Sequence, residues 1–382
     1  MTHRTRVIVG SGMTLAFAGV LALSALGAAR ANTLPLPERL SDSAFWALTV
    51  ELSEPGGYFR SDNFVSNEGE LQYVIPELTK TVPRGRPYVG VGPEQNFTYI
   101  AELAPSVAFI VDIRRQNLVL HLMYKALMEL SSDRATFVSR LLSRPVPAGL
   151  AADAPVTDLF ARFGTSPPNT LLFWTTLDTL RKHLMHTRGF PLDAQDRESL
   201  FYVFASFAEG GADLSYSFGQ MGGQRTGRWM PTLAEMMTET DGEGAHRSYL
   251  ASEASYRAVR ELQERNLIIP VVGDFGGEQA LRAVAGWLRT HDATLGALYA
   301  SNVEQYLYMQ GNAAPRFFET LAAFPHDRST RLVRAVSNRG WLPMRNPRSR
   351  LAQRAVPLDA TLTIVREGKA ATYWDLVVAL EP

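Results

Sequence analysis

Residues 87 to 113 hold the pattern that most limits how this chain can fold. A short apolar run, Pro87 to Gly92, ends in glycines; apolar residues at helical spacing follow, and a second apolar run extends from Ala108 to Ile113. A parallel strand that is buried on both faces is a continuous apolar run bounded by turns, and both runs fit that description. The segment therefore predicts a strand, a glycine turn, a helix and a second strand of a parallel sheet.

The same alternation of strands and helices returns towards the C-terminus. Between the two parts, residues 131–266 carry mostly helical patterns, which predicts a helical insertion. Further apolar runs predict strands at Leu267 to Asp274, Leu295 to Ala300, Arg331 to Val336, Ala360 to Val365 and Trp374 to Leu380. The predicted architecture is one α/β domain over residues 87–382.

Residues 1–31 have the pattern of an export signal. Arg4 and Arg6 precede an apolar stretch from Val7 to Ala29, and Ala29-Arg30-Ala31 has the small-x-small form of a cleavage site. Cleavage would place the protein in the periplasm or outside the cell. Uncleaved, the stretch is about long enough to anchor the chain in the inner membrane. Residues 32–86 are predicted to form an N-terminal helical segment with a lid loop.

Composition excludes several classes of function. Lys plus Arg (38) equals Asp plus Glu (38), so no net field attracts nucleic acid, and cysteine is absent, which excludes thiolate metal sites and a cysteine nucleophile. His183 and His186 lie three apart but lack a third ligand at metal-site spacing, so no metal is predicted. No serine-hydrolase elbow and no phosphate-binding loop motif is present in the sequence.

The glycine turn and the strand after it predict a nucleoside site. Glycines allow the backbone to approach a ligand closely, and the following helix presents its N–H groups there. Asp112 ends the second strand, where nucleotide-binding folds place an acid that accepts hydrogen bonds from a ribose diol. One helix and one strand separate Gly92 from Asp112, which is the separation such a site needs.

At these residues the chain resembles a class I S-adenosylmethionine-dependent methyltransferase. More closely, it resembles an uncharacterised bacterial family with a leptospiral member and that same fold. The resemblance extends over most of the chain after residue 31 and is carried by four segments: Glu51 to Asn63, Val89 to Asn96, Val111 to Arg114 and Ser301 to Tyr306. It implies a Rossmann-like, mostly parallel sheet with a helical insertion.

The resemblance also implies which residues would hold S-adenosylmethionine. Gly90 and Gly92 match the first two glycines of the cofactor loop, Asp112 matches the ribose-binding acid, and Asp274 matches the residue that holds the adenine amino group. Tyr88 departs from the family pattern, because an acidic residue usually stands at that position.

Two more residues of this turn are assigned to the cofactor site. Glu94 stands where the third glycine would be, and its carboxylate would either contact the methionine amino group or block the pocket. Asn96 opens the next helix; Asn96-Phe97-Thr98 also matches a glycosylation sequon, although a helix start favours capping.

The segment after the strand Leu295 to Ala300 is where methyltransferases place residues that face the transferable methyl. Asn302 would orient the acceptor, Glu304 would act as base, and Tyr306 would line the pocket or attract the sulfonium through its ring face. The alternative is that Asn302 caps a helix whose first turn contains Glu304.

A loop that follows Gly56-Gly57 has the composition of a lid over a ligand. It contains the aromatic Tyr58, the cationic Arg60 and the acidic Asp62. The alternative is a solvated turn with an internal contact between Arg60 and Asp62.

Two functions remain open from the sequence. The first is transfer of a methyl group from S-adenosylmethionine to a small-molecule or protein acceptor. The second is an exported, non-catalytic binding protein that keeps the methyltransferase fold. Asp112 and Asp274 favour the first, whereas the altered glycine motif and the export signal favour the second. In both, the membrane is contacted only through an uncleaved N-terminal segment.

Overall fold

The centre of the fold is a mostly parallel sheet. The computed structural model describes residues 34–216, 230–337 and 349–380, together with Thr2. Within these residues, the sheet consists of β1 (Tyr88–Gly90), β2 (Ala108–Asp112), β3 (Ile268–Val272), β4 (Ala297–Ser301), β5 (Arg331–Ser337) and β6 (Leu351–Pro357). Their order is β3-β2-β1-β4-β5-β6, and every pair is parallel except β5 with β6. The protein therefore has a mixed α/β fold.

Helices cover the sheet and fill the chain between its strands. They are α1 (Asp42–Leu52), α2 (Ile75–Thr81), α3 (Gln95–Leu103), α4 (Arg115–Leu130), α5 (Arg134–Leu142), α6 (Val156–Thr165), α7 (Thr170–Lys182), α8 (Ala194–Gly210), α9 (Leu233–Thr238), α10 (Glu253–Glu264), α11 (Ala280–Thr290), α12 (Val303–Leu307), α13 (Ala313–Ala323), α14 (Leu358–Arg366) and α15 (Tyr373–Leu380). A π-helical turn, His183–Thr187, continues α7. The described part of residues 131–266 thus contains α5 to α10 and no strand of the sheet.

The central strands are buried because they are apolar along their whole length. Every residue of β2 and β3 is buried. Since β1 to β4 run in the same direction, their carboxyl ends, Gly90, Asp112, Val272 and Ser301, meet at one edge of the sheet. The register places Asp112 beside Val272. This edge positions the candidate site.

Two predicted strands near the C-terminus are wrong. Ala360 to Val365 lies in α14, and Trp374 to Leu380 lies in α15. In both helices the buried residues recur at helical spacing: Leu358, Thr361 and Leu362 in α14, and Tyr373, Leu376 and Val377 in α15. The edge of the sheet is instead formed by β6, a strand that the sequence patterns did not indicate.

The predicted export signal falls outside this description. Its apolar stretch, Val7 to Ala29, is not among the described residues. In the described part of the chain, no helix combines the length and the apolar composition that crossing a bilayer requires.

Candidate functional site

A cleft lies at the carboxyl edge of the parallel strands. Its cavity volume is about 140 Å³. The turns after β1 to β4 line it with Val91, Gly92, Asp112, Ile113, Arg114, Gly273, Asp274, Phe275, Ser301 and Asn302; loops and helix starts add Tyr58, Phe59, Asn63, Ser66, Asn67, Glu68, Gln95, Tyr216, Val303, Tyr306, Leu307 and Gln310. Gly92, Asp112 and Asp274, which were predicted from separate segments, therefore share one cleft.

The two glycines of the first turn have different reasons to be glycine. Gly92 lines the cleft and has φ +80°, a left-handed conformation that side chains rarely adopt. Gly90 does not line the cleft; a Cβ on it would lie 1.9 Å from Oδ1 of Asn96 and 2.7 Å from the hydroxyl of Tyr88. Only Gly92 is thus placed to let backbone approach a ligand.

Asp112 lines the cleft but is bound by a neighbour. Oδ1 accepts from the backbone N–H and the Nε of Arg114, both at 2.9 Å, and Oδ2 accepts from Nη2 of Arg114 at 2.8 Å. A carboxylate has about four acceptor positions. Three are occupied, which leaves one acceptor position on Oδ2.

Arg114 also fastens the predicted lid loop to the sheet. Its Nη1 donates to the backbone carbonyls of Ser61, at 3.2 Å, and of Asp62. Close by, the N–H of Gly57 donates to the carbonyl of Ile113 at 2.8 Å. The loop is therefore tied to the residues that follow β2, beside the cleft.

The three predicted lid residues are placed differently. Tyr58 lines the cleft and is 84% exposed, so its ring stands at the mouth. Arg60 is exposed and does not line the cleft. Asp62 is buried outside the lining, where its Oδ2 accepts from the hydroxyl of Tyr202 at 2.8 Å. Of the three, only Tyr58 is in position to cover a ligand.

Asp274 lies in the turn after β3 and faces the cleft. Its Oδ1 accepts from the N–H of Gly276 at 2.9 Å, and its own N–H donates to Oε1 of Glu54 at 2.7 Å. These bonds fix the turn, and Oδ2 has no hydrogen-bond partner among the described residues. The carboxylate therefore keeps acceptor capacity towards the cleft.

The structure corrects the assignment of Asn96 to the cofactor site. Its Nδ2 donates to the carbonyls of Val91, Gly92 and Pro93 at 3.0, 3.3 and 2.8 Å, and its Oδ1 accepts from the hydroxyl of Tyr88 at 2.9 Å. The side chain is buried and does not line the cleft. It holds the glycine turn in shape from behind.

Glu94 is also placed outside the lining of the cleft. It is fully buried, and its Oε1 accepts from the N–H of Ser66 at 3.4 Å. Burial raises the pKa of Glu94 to about 8. It therefore neither blocks the pocket nor reaches a ligand there.

The end of β4 has an unusual backbone. Ser301 has φ +51°, and the pairing of β4 with β5 shifts register between Tyr299 and Ser301. A left-handed residue other than glycine costs about 1–2 kcal/mol, and such strain clusters at functional sites.

The predicted Asn302 and Tyr306 both line the cleft. Asn302 is the N-cap residue of α12 and Glu304 lies in its first turn, as the capping alternative placed them, but the side chain of Asn302 makes no capping hydrogen bond.

Glu304 does not face the cleft, which corrects its assignment as the base. Its Oε2 accepts from Nε of Arg334 at 2.6 Å, and both side chains are only 1% exposed. Burial raises the pKa of Glu304, and the nearby guanidinium offsets this only in part. The carboxylate is committed to a buried ion pair between α12 and β5.

The lining includes a buried carboxyl that the sequence did not indicate, that of Glu68. Its oxygens accept from the hydroxyl of Tyr299 at 2.6 Å, from the hydroxyl of Ser301 and from the side-chain amide of Gln353. Burial raises the pKa of Glu68. Nothing in its sequence context, a polar stretch without periodicity, marks it as special, because its partners come from β4 and β6.

The described residues contain no group of three or more acidic or histidine side chains that would hold a metal ion. His183, one of the two histidines considered for a metal, has its Nε2 2.6 Å from Oε2 of Glu129. That pair joins the π-helical turn to α4, away from the cleft.

Comparisons with known proteins describe the chain without describing its activity. The model of one protein family, described as a domain of unknown function (DUF7790), matches residues 63–146 and 225–357. No curated protein matches the chain. The matched segments contain Glu68, Gly92, Asp112, Asp274 and Ser301, whereas Tyr58, Phe59 and Tyr216 of the cleft lie outside them.

Proposed function

We propose that this chain, which belongs to the DUF7790 family of domains of unknown function, is an S-adenosylmethionine-dependent methyltransferase-like protein. One observation carries the proposal: Gly92, Asp112 and Asp274 line a single cleft at the carboxyl ends of three neighbouring parallel strands. A nucleoside needs such a convergence of permissive backbone and carboxylates.

The topology supports a Rossmann-like fold of the class I methyltransferase type. The order β3-β2-β1-β4-β5-β6 is the order of doubly wound nucleotide-binding folds, whose ligands bind where the strand order reverses. In this chain the reversal falls between β1 and β4, and the turns after both strands line the cleft.

The residues present are suited to the cofactor. Asp112 would accept one ribose hydroxyl on the free position of Oδ2, Asp274 would accept the adenine amino group, and Gly92 would let the backbone approach. Once bound, S-adenosylmethionine supplies a methyl group already activated by its sulfonium. The task left to the protein is to hold the acceptor in line with that methyl and to take its proton.

A second candidate, an exported binding protein that keeps the cleft without catalysis, is favoured by one structural observation and by one feature of the sequence. Arg114 occupies three of the four acceptor positions of Asp112, which weakens recognition of a diol. The predicted export segment Val7 to Ala29 favours the same candidate, because S-adenosylmethionine is made in the cytoplasm. Ligand binding without any methyl transfer, together with a fusion reporter that places the domain outside the inner membrane, would support it.

The proposal predicts that Asp112 and Asp274 each contribute to cofactor affinity. Calorimetric titration of the purified protein should show binding of S-adenosylmethionine and S-adenosylhomocysteine. Asp112→Asn and Asp274→Ala should each weaken binding by roughly 10- to 100-fold, because a hydrogen bond to a charged group contributes about 1.5–3 kcal/mol. Saturating ligand should also stabilise the wild-type protein by about 2.7 kcal/mol at a hundred times its dissociation constant.

The matched control is Asp327→Asn. Asp327 also pairs with an arginine, since Nη2 of Arg86 lies 2.7 Å from its Oδ2, but it precedes β5 and does not line the cleft. Its substitution should leave both dissociation constants unchanged. If neither ligand binds at millimolar concentration, or if Asp112→Asn and Asp327→Asn behave alike, the proposed cofactor site is wrong.

A further inference from the structure

The wall of the cleft contains a carboxyl group that the proposed cofactor contacts do not use. Glu68 is held by donors from three residues, Tyr299, Ser301 and Gln353. Among the described residues, no lysine, arginine or histidine contacts its carboxylate. The group is thus oriented by neutral donors and has no positive partner in the described part of the chain.

The buried surroundings of Glu68 make it costly for its carboxylate to be charged without a positive partner. The titratable groups that face it are the buried phenols of Tyr88, Tyr99 and Tyr299, each with a pKa raised well above 10 by burial and by the charge of Glu68. A buried carboxylate is stable only when it is paired or neutralised. A cationic group on a ligand would supply the partner.

A second acceptor points to the same kind of ligand. Gln95 lines the cleft and is buried; its Nε2 donates to the hydroxyl of Tyr299 at 3.1 Å and to the carbonyl of Val91 at 3.3 Å. These bonds fix the orientation of the amide, and its Oε1 has no partner among the described residues. An ammonium group carries three N–H donors and has no acceptor, so it suits a wall that offers both oxygens.

The position of Glu68 distinguishes the acceptor end of the cleft from the nucleoside end. Its hydroxyl partners lie in β4 and its amide partner lies in β6. Asp112 ends β2 and Asp274 follows β3, and both strands lie on the other side of β1 in the sheet. A nucleoside held by those two carboxylates would direct the transferable methyl towards the end of β4.

We propose that Glu68 and Gln95 bind an amine of the methyl acceptor, so that the substrates of this protein are amines. The inference rests on the proposed methyltransferase function. In the reaction, the acceptor ammonium gives one proton to the carboxylate of Glu68. The lone pair of the nitrogen then forms a bond to the methyl carbon, while the bond from carbon to sulfur breaks and leaves its electron pair on sulfur.

Two analogues of the cofactor test this without knowledge of the acceptor. Sinefungin carries an amine-bearing carbon where S-adenosylmethionine has its methylated sulfur, whereas S-adenosylhomocysteine has neutral sulfur there. By calorimetry, wild-type protein should bind sinefungin at least about tenfold more tightly, since a charge-assisted hydrogen bond to a carboxylate is formed. Glu68→Gln should abolish that preference, and Glu102→Gln, at the far end of α3 and outside the lining, should keep it.

The possible outcomes separate the two proposals. If neither analogue binds the wild-type protein, the cofactor site and the acceptor site both fail. If both bind and Glu68→Gln keeps the preference for sinefungin, the amine site alone is overturned. Loss of the preference in Glu68→Gln, with unchanged affinity for S-adenosylhomocysteine, supports it.

A titration of the wild-type protein covers the case in which Glu68→Gln does not fold. The pKa of Glu68 is raised from 4.5, so its carboxylate is charged above that raised pKa and neutral below it. Contacts to the nucleoside are common to the two analogues and cancel in the ratio of their dissociation constants. The preference for sinefungin should therefore be greatest above the raised pKa of Glu68 and fall as the pH is lowered through it; a constant ratio contradicts the inference.

Discussion

We expect Glu304→Ala to lower the free energy of unfolding by about 3–5 kcal/mol, because it leaves a buried guanidinium without its counter-charge. Arg334 and Glu304 are each only 1% exposed and their charged atoms lie 2.6 Å apart. Water therefore cannot replace the lost carboxylate. Urea denaturation of the variant and the wild-type protein measures the difference.

The double variant Glu304→Leu with Arg334→Met is the control. Removing both charges together leaves no unpaired ion, so it should recover most of the stability that Glu304→Ala loses. The two variants also test the role of base that the resemblance to methyltransferases implied for Glu304. Should Glu304→Ala keep the stability of the wild-type protein, the ion pair would not be a structural element and Glu304 could again be considered as a base.

Gly90→Ala should lower the free energy of unfolding by about 1–3 kcal/mol, the usual cost of overpacking a core. The added Cβ would lie 1.9 Å from Oδ1 of Asn96. That side chain cannot move freely, since its amide bonds to three consecutive carbonyls, the nearest at 2.8 Å. Thermal and chemical unfolding measure the loss.

Gly92→Ala provides the contrast for this prediction. Its strain arises from φ +80° rather than from overlap, and should cost about 1–2 kcal/mol. Because Gly92 lines the cleft and Gly90 does not, Gly92→Ala should weaken binding of S-adenosylhomocysteine more than Gly90→Ala does. A second substitution, Asn96→Ser, should restore part of the stability of Gly90→Ala only; equal rescue of both variants would show that the overlap is not the cause.

The predicted parallel strands correspond to β1 to β5, and the physical reason is their burial. A strand covered on both faces must be apolar throughout, so its pattern depends on the strand itself. The two wrong strands, Ala360 to Val365 and Trp374 to Leu380, are short apolar runs whose length fits either a strand or one face of a helix. The packing of these segments against the rest of the fold decided between strand and helix.

The candidate site likewise contains residues that the sequence predicted and residues that it did not. Asp112 ends a strand, and Gly92 and Asp274 each lie two residues after one, so a strand pattern places them at the carboxyl edge of the sheet. Glu68 lies in a polar stretch between helices, and its partner Gln353 is 285 residues away in the chain. No local pattern reports that contact.

The sequence by itself determined the βα unit, the parallel direction of the central strands and the residues that follow them, because backbone preference and apolar period act between near neighbours. Only the tertiary structure decided which polar groups face the cleft. In the folded chain Glu304 does not face the cleft but pairs with Arg334, which is 30 residues distant. Glu68 accepts hydrogen bonds from residues of β4 and β6. Burial and ion pairing depend on which distant segments meet, and that is a property of the folded chain.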